Sequence, residues 1–154
     1  MVFAPNGILF EDDVIMAFRD IHPRAAVHIL VVPKQHIRNS SELSEKHINL
    51  STLSILDPPM IHESPPVQYM VSVGKTLLEH ECEFLFSATG SIAVNDKQFG
   101  FHQYPFNSVN HLHLHCLVPP FTSCWSKLRF SESIIGHYIS ADNLIQHLRD
   151  DGGG

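Results

Sequence analysis

No run of apolar residues in this 154-residue chain approaches the roughly 20 that a membrane-crossing helix needs, so no helical span is expected. The first residues carry no basic-then-apolar leader, and a secretory signal is not expected either. Charge is sparse at 17% of residues, and cations are the scarcer sign: ten Lys and Arg against sixteen Asp and Glu, a formal net charge of −6. Such a chain has no overall electrostatic grip on a polyanion. Nucleic acid is therefore not expected as a partner, and any anionic substrate has to be held by local donors. Cysteine is limited to Cys82, Cys116 and Cys124, an odd number without CxxC spacing, which argues against a disulfide scaffold and a cysteine zinc knuckle. A reducing compartment fits: the cytoplasm, or the nucleus or another organelle.

What is present is enough apolar material, 44% of residues, for one core closed by a single domain over residues 1–150, with 151–154 as a disordered tail. Gly7–Phe10 and Val14–Phe18 are apolar runs split by the turn signal Glu11-Asp12-Asp13, and Val27–Val32 is a third β-rich run ended by Pro33. They predict two or three antiparallel strands. Ser40 or Ser41 is placed to cap a helix reaching about Leu53. Val67, Met70, Val71, Gly74, Leu77 and Leu78 form one stripe at helical spacing, as in a helix packed on a sheet. Ser140 is placed to cap a last helix with Leu144, Ile145 and Leu148 on one side. The proline-rich Asp57–Pro66 and the stretch Phe84–Asp96 lack clear periodicity and read as loops or insertions, although part of the second could be a strand.

Histidine is the residue in excess, at twelve. In Asn110-His111-Leu112-His113-Leu114-His115-Cys116-Leu117-Val118, imidazole and apolar side chains alternate with the period of a strand. The alternation puts His111, His113 and His115 on one face and Leu112, Leu114, Cys116 and Val118 on the core face. Three imidazoles on one face each need partners for two ring nitrogens, a costly arrangement for structure alone. Two chemistries suit it. A His-x-His pair on a strand chelates zinc with a third ligand from elsewhere, such as His28. Alternatively, a neutral imidazole attacks phosphorus in line, with one nitrogen free and the other fixed by a hydrogen bond. Neighbours then supply a proton to the leaving group and donors to the anionic oxygens, with Ser108 just ahead.

His111 to Leu117 reads His-φ-His-φ-His-φ-φ, with φ apolar, and resembles the signature of the histidine triad (HIT) superfamily, specifically its Hint branch. Phe18-Arg19-Asp20-Ile21-His22-Pro23, followed by His28-Ile29-Leu30-Val31-Val32-Pro33-Lys34-Gln35-His36, is similar to that branch's N-terminal pattern. The resemblance implies an α+β HIT fold: an antiparallel sheet of about five strands, two main helices and a two-fold dimer. It implies a hydrolase that transfers a nucleoside 5′-phosphoryl group, adenylyl among the purine nucleotides, from an amine, sulfate or acyl leaving group to water. The route is a nucleotidyl-histidine that releases AMP, with no cofactor and no metal. His113 then matches the nucleophile, His115 the histidine at the phosphate and leaving group, His111 the supporting first member, and His28 the fourth, upstream histidine. Asp20 stands where ribose hydroxyls bind, Phe18 and Ile21 where the base is sandwiched, and Ser108, with Val109 beside it, where phosphate is held.

The sequence departs from that pattern before the triad. Gly100–Asn110 stands in place of a glycine-rich loop and has an F-H-x-x-P-F-x-S form, similar to a divergent Hint group and more distantly to aprataxin. In it, His102 and Asn107 are candidates to replace backbone amides as phosphate donors. Lys127 falls where the aprataxin-like pattern places a phosphate-contacting lysine. The short Met1–Pro5 leaves base selectivity open. The rival readings are an aprataxin-like deadenylase of nucleic-acid ends, the zinc protein above, and a non-catalytic sensor that binds AMP through Asp20 and Ser108.

Overall fold

Alternating side chains sort the strands into one antiparallel sheet with two unlike faces. The computed structural model describes residues 7–44, 47, 67–89, 96–132 and 136–152. Its strands are β1 (Ile8–Glu11), β2 (Ile15–Arg19), β3 (Ala25–Pro33), β4 (Gln98–His102), β5 (Leu114–Phe121) and β6 (Tyr138–Ser140), in the order β1-β2-β3-β5-β4-β6. The helices are α1 (Val67–Thr89), α2 (Cys124–Arg129) and α3 (Ala141–Gly152). The class is the expected α+β, with six strands among the described residues.

One face is apolar. Ile15 and Ala17 of β2, Val27, Ile29 and Val31 of β3, Leu114, Cys116 and Val118 of β5, and Phe101 of β4 are buried there against α1 and α3. The stripe on α1 that meets them includes Val67, Met70, Val71 and Leu78, all buried. Gly74 lies in the same stripe because the helix rides close to β5: a Cβ there would sit 2.5 Å from Cys116 Sγ. Ser140 caps α3 as expected, its hydroxyl accepting from Asn143 N–H at 3.3 Å, and Leu144, Ile145 and Leu148 are buried.

Several expectations need correction. The strand expected over 110–118 begins only at Leu114, because Leu112 N–H leaves the ladder to donate to Ile37 O at 2.6 Å. It also continues through Pro119-Pro120 to Phe121. Proline is tolerated there because β4 pairs with β5 only over Gly100↔His115 to Gln98↔Leu117, and the β3 register shifts between Ala25 and Val27. Residues 84–89, read as loop, continue α1, and Gly100–His102 are strand β4 rather than loop. Helix α3 runs to Gly152, into the stretch expected to be a disordered tail. Around Ser40 the described structure is a 3-10 turn over Ser40–Glu42, and its cap is Asn39, whose side chain accepts from Ser41 N–H. The remainder of that expected helix, together with Met1–Pro5 and Asp57–Pro66, lies largely outside the described residues. No helix among the described residues is long and apolar enough to cross a membrane.

Candidate active site

The second face of the sheet carries histidines. His28 on β3, His115 on β5 and His102 on β4 point the same way, and all three are buried. The registers bring them together. His115 lies opposite Leu30 on one side and Gly100 on the other, so His28 and His102 are its diagonal neighbours, within reach of long side chains. Gly100 has no side chain to separate the rings of His115 and His102, and the Tyr138 ring covers it instead. Phe130, just past α2, lies over all three, with ring centroids 5.5 Å from His28, 4.9 Å from His115 and 4.8 Å from His102.

The rings form a hydrogen-bonded relay whose direction is fixed at both ends. Arg24 N–H donates to His28 Nδ1 at 3.2 Å, so His28 carries its proton on Nε2. That proton goes to His115 Nδ1 at 2.9 Å. His115 Nε2–H then donates to His102 Nδ1 at 2.9 Å, and His102 Nε2–H ends the chain on Arg129 O at 3.2 Å. One proton per ring satisfies every contact, so three neutral imidazoles suffice. Burial, the largest cause, pushes His28 and His102 down to about 4, and neighbouring histidines and the Arg24 and Arg129 guanidiniums act in the same sense. Asp20 opposes this at His28, its Oδ2 lying 3.4 Å from His28 Nδ1. Burial also holds His115 well below the usual imidazole range.

His113 stands beside this relay, its ring centroid 4.7 Å from that of His115. It precedes β5, and its Nδ1–H donates to His111 O at 2.7 Å. Its Nε2 is therefore an unprotonated lone pair, and burial, first among the causes, lowers the ring's proton affinity further. His111 takes no part in the relay. Its Nε2–H donates to Pro33 O at 2.8 Å and its Nδ1 meets His36 Nδ1 at 3.0 Å. His36 is a neighbour that sequence reasoning did not single out, although Pro33-Lys34-Gln35-His36 was in view.

The other expected site residues divide. Asp20 caps its own turn, with Oδ1 accepting from His22 N–H at 2.8 Å, and turns Oδ2 to His28. Phe18 is buried and Ile21 is half exposed at 53%. Ser108 and Val109 are exposed on the loop leading to His113, where Asn107 Nδ2 donates to Val109 O at 3.1 Å. His102 is not a free phosphate donor, since both its nitrogens belong to the relay. The same holds for His115. Lys127 lines a cavity of about 730 Å³ with Pro119, Pro120 and Phe121, at the end of β5 away from His113, and no histidine lines that cavity. His102, a candidate phosphate donor from the sequence, instead takes its place in the relay through the alternation of β4, with Phe99 and Phe101 towards the core and His102 on the other face.

A metal has one place to bind among the described residues: one nitrogen each of His102, His113 and His115 lies within 4.8 Å of the others. Tetrahedral zinc sets its nitrogens roughly 3.3 Å apart. The 2.9 Å contact between His102 and His115 is a hydrogen bond, so an ion there would displace the relay proton.

A fold of this topology with three histidines ahead of and inside its central strand defines the histidine-triad class. The family model of the HIT domain matches residues 3–121, and the chain belongs to the HIT family. Among curated relatives it is 36% identical to the Arabidopsis thaliana protein named bifunctional adenosine 5′-phosphosulfate phosphorylase/adenylylsulfatase HINT4, over 92% of this chain and 82% of that one. It is 33% identical to the Mus musculus adenosine 5′-monophosphoramidase HINT3, over 94% of this chain and 74% of that one. Among solved structures, a HIT family hydrolase from Clostridium thermocellum aligns with a TM-score of 0.51 at 25% identity, covering 78% of this chain and 84% of its own.

Proposed function

We propose that this protein is a nucleotide hydrolase that releases AMP from adenylyl compounds bearing an amine, sulfate or acyl leaving group, through a covalent adduct on His113. The observation that carries the reading is the Nδ1–H of His113 on His111 O, which leaves Nε2 as the one ring nitrogen of the relay and its neighbour free to attack. The lone pair of Nε2 forms the N–P bond as the bond from phosphorus to the leaving group breaks, and the leaving group takes the electron pair, an amine also taking up a proton from water as it departs. Water then forms a P–O bond, the N–P electrons return to Nε2, and a proton is released. Asp20 is the residue for the ribose hydroxyls, Phe18 and Ile21 for the base, and Ser108 for the phosphate. Relatives named for phosphosulfate and phosphoramidate cleavage support the two substrates to try. The reading includes a two-fold pair of chains. Because β6 already pairs with β4 over Gly100–His102, a sheet-to-sheet contact has β1, β6 or the first residues of β4 as its edges.

The test is AMP release from adenosine phosphoramidate and adenosine 5′-phosphosulfate by wild type and His113→Ala, each with and without EDTA. EDTA-resistant turnover lost in the variant supports the reading. Wild type that binds AMP and turns over neither compound refutes it in favour of a sensor.

A further inference from the structure

The tautomer of His113 rests on one carbonyl, His111 O, which accepts its Nδ1–H at 2.7 Å. A distant segment holds that carbonyl in place. Residues 33–37, at the end of β3 and beyond it, grip residues 111 and 112 at three points. Leu112 N–H donates to Ile37 O at 2.6 Å. His111 Nε2 lies 2.8 Å from Pro33 O, and His111 Nδ1 lies 3.0 Å from His36 Nδ1. Ile37 and Leu112 are buried, whereas His36 is exposed.

Pro33 O dictates the proton positions in this cluster. A carbonyl only accepts, so neutral His111 carries its proton on Nε2 and a lone pair on Nδ1. His36 Nδ1 therefore supplies the hydrogen between the two rings, whose centroids are 5.1 Å apart.

The main-chain and side-chain contacts do different jobs. His111 C=O and Leu112 N–H belong to one planar peptide unit, so the bond to Ile37 O sets the line along which the carbonyl points. One hydrogen bond leaves that plane free to swivel about its own line. Clamping the His111 ring at both nitrogens fixes the residue on one side of the peptide and removes the swivel.

We propose that His36 is a positioning residue for the nucleophile: its Nδ1–H locks the His111 ring, and with it the carbonyl that keeps the His113 proton on Nδ1 and leaves Nε2 bare. The inference rests on the reading of His113 as nucleophile. Without the lock, His113 loses a fixed acceptor and its proton is shared between both ring nitrogens. The form protonated on Nε2 has no lone pair for phosphorus, so the loss falls on the chemical step rather than on binding.

The test compares His36→Phe, which keeps a ring and removes the donor, with His36→Asn, which keeps an N–H near the place of Nδ1. Circular dichroism checks the fold of each. AMP release from adenosine phosphoramidate and adenosine 5′-phosphosulfate gives kcat and KM, and nitrogen-15 shifts of the His113 ring are read without substrate. His36→Phe is expected to lower kcat on the order of tenfold on both compounds, with KM within about twofold and His113 shifted towards a mixture of tautomers. His36→Asn is expected to stay within about threefold of wild type, with wild-type shifts. Unchanged kcat in His36→Phe overturns the proposal, since the bond between Leu112 and Ile37 then suffices. A fall in kcat without a change of His113 tautomer, or one that His36→Asn does not recover, overturns it too. None of these results touches the nucleophile. Wild type that turns over neither compound overturns the nucleophile reading, and the positioning role with it.

Discussion

The two faces of the sheet are written by alternate residues of the same strands, yet they obey different rules. On the helix-covered face, Leu114, Cys116 and Val118 are fully buried and the requirement is volume. On the other, His28, His115 and His102 are nearly as buried, and the requirement is that each ring nitrogen finds the right partner in the right direction. The first face tolerates a change of chemistry if the shape is kept. The second is stricter about proton count than about shape, because one added or missing hydrogen leaves two donors or two acceptors facing each other.

The sharpest way to separate them is His113→Ala. Removing the attacking nitrogen is expected to lower AMP release by several orders of magnitude while the chain stays folded, checked by steady-state kinetics beside circular dichroism. Leu114→Ala, the next residue and on the opposite face, should do the reverse. It removes a fully buried side chain and is expected to cost about 2–5 kcal/mol in urea unfolding, with kcat per folded molecule little changed. A large fall in kcat with that variant would mean the faces are mechanically coupled.

Acid should act chiefly on the histidine face. His28 and His102 sit at about 4 in the folded chain against about 6.5 when unfolded. Because the folded values are depressed, the unfolded chain binds more protons below pH 6.5. Stability is therefore full above pH 6.5 and falls as the pH drops towards 4, by a few kcal/mol in all. Urea midpoints between pH 7.5 and 4.5 check this, and a flat profile would show that the rings are not held neutral.

Legibility in the sequence followed the same division. The apolar face was readable because volume leaves a periodic trace: the α1 stripe from Val67 to Leu78, the cap at Ser140, and the alternation through Leu114 and Cys116. The triad was readable as a motif, but its geometry was not. His111 and His113 leave the ladder because Leu112 N–H bonds to Ile37 O, a contact between distant segments with no local signature. Helix α2, strand β6 and the last part of α1 escaped because six residues, three residues and the aperiodic 84–89 carry too little pattern. The role of His102 depends on Gly100 lying opposite His115, which only the strand register reveals.

His102→Phe is the smaller and more informative break. Phenylalanine keeps a ring among Phe130, Tyr138 and His115, so the packing of the face is largely preserved. It leaves His115 Nε2–H and Arg129 O without their partner, at a cost of roughly 1–3 kcal/mol in unfolding. If His102 only fills space, nothing further changes. If it fixes the relay, His115 loses the acceptor that holds its proton on Nε2, and the ring is free to carry the proton on Nδ1, against His28. Nitrogen-15 chemical shifts of the histidine rings read that tautomer directly, and loss of a single defined tautomer at His115 and His28 is the expected result. Unchanged shifts would mean that Arg24 N–H alone sets the direction of the relay from the His28 end.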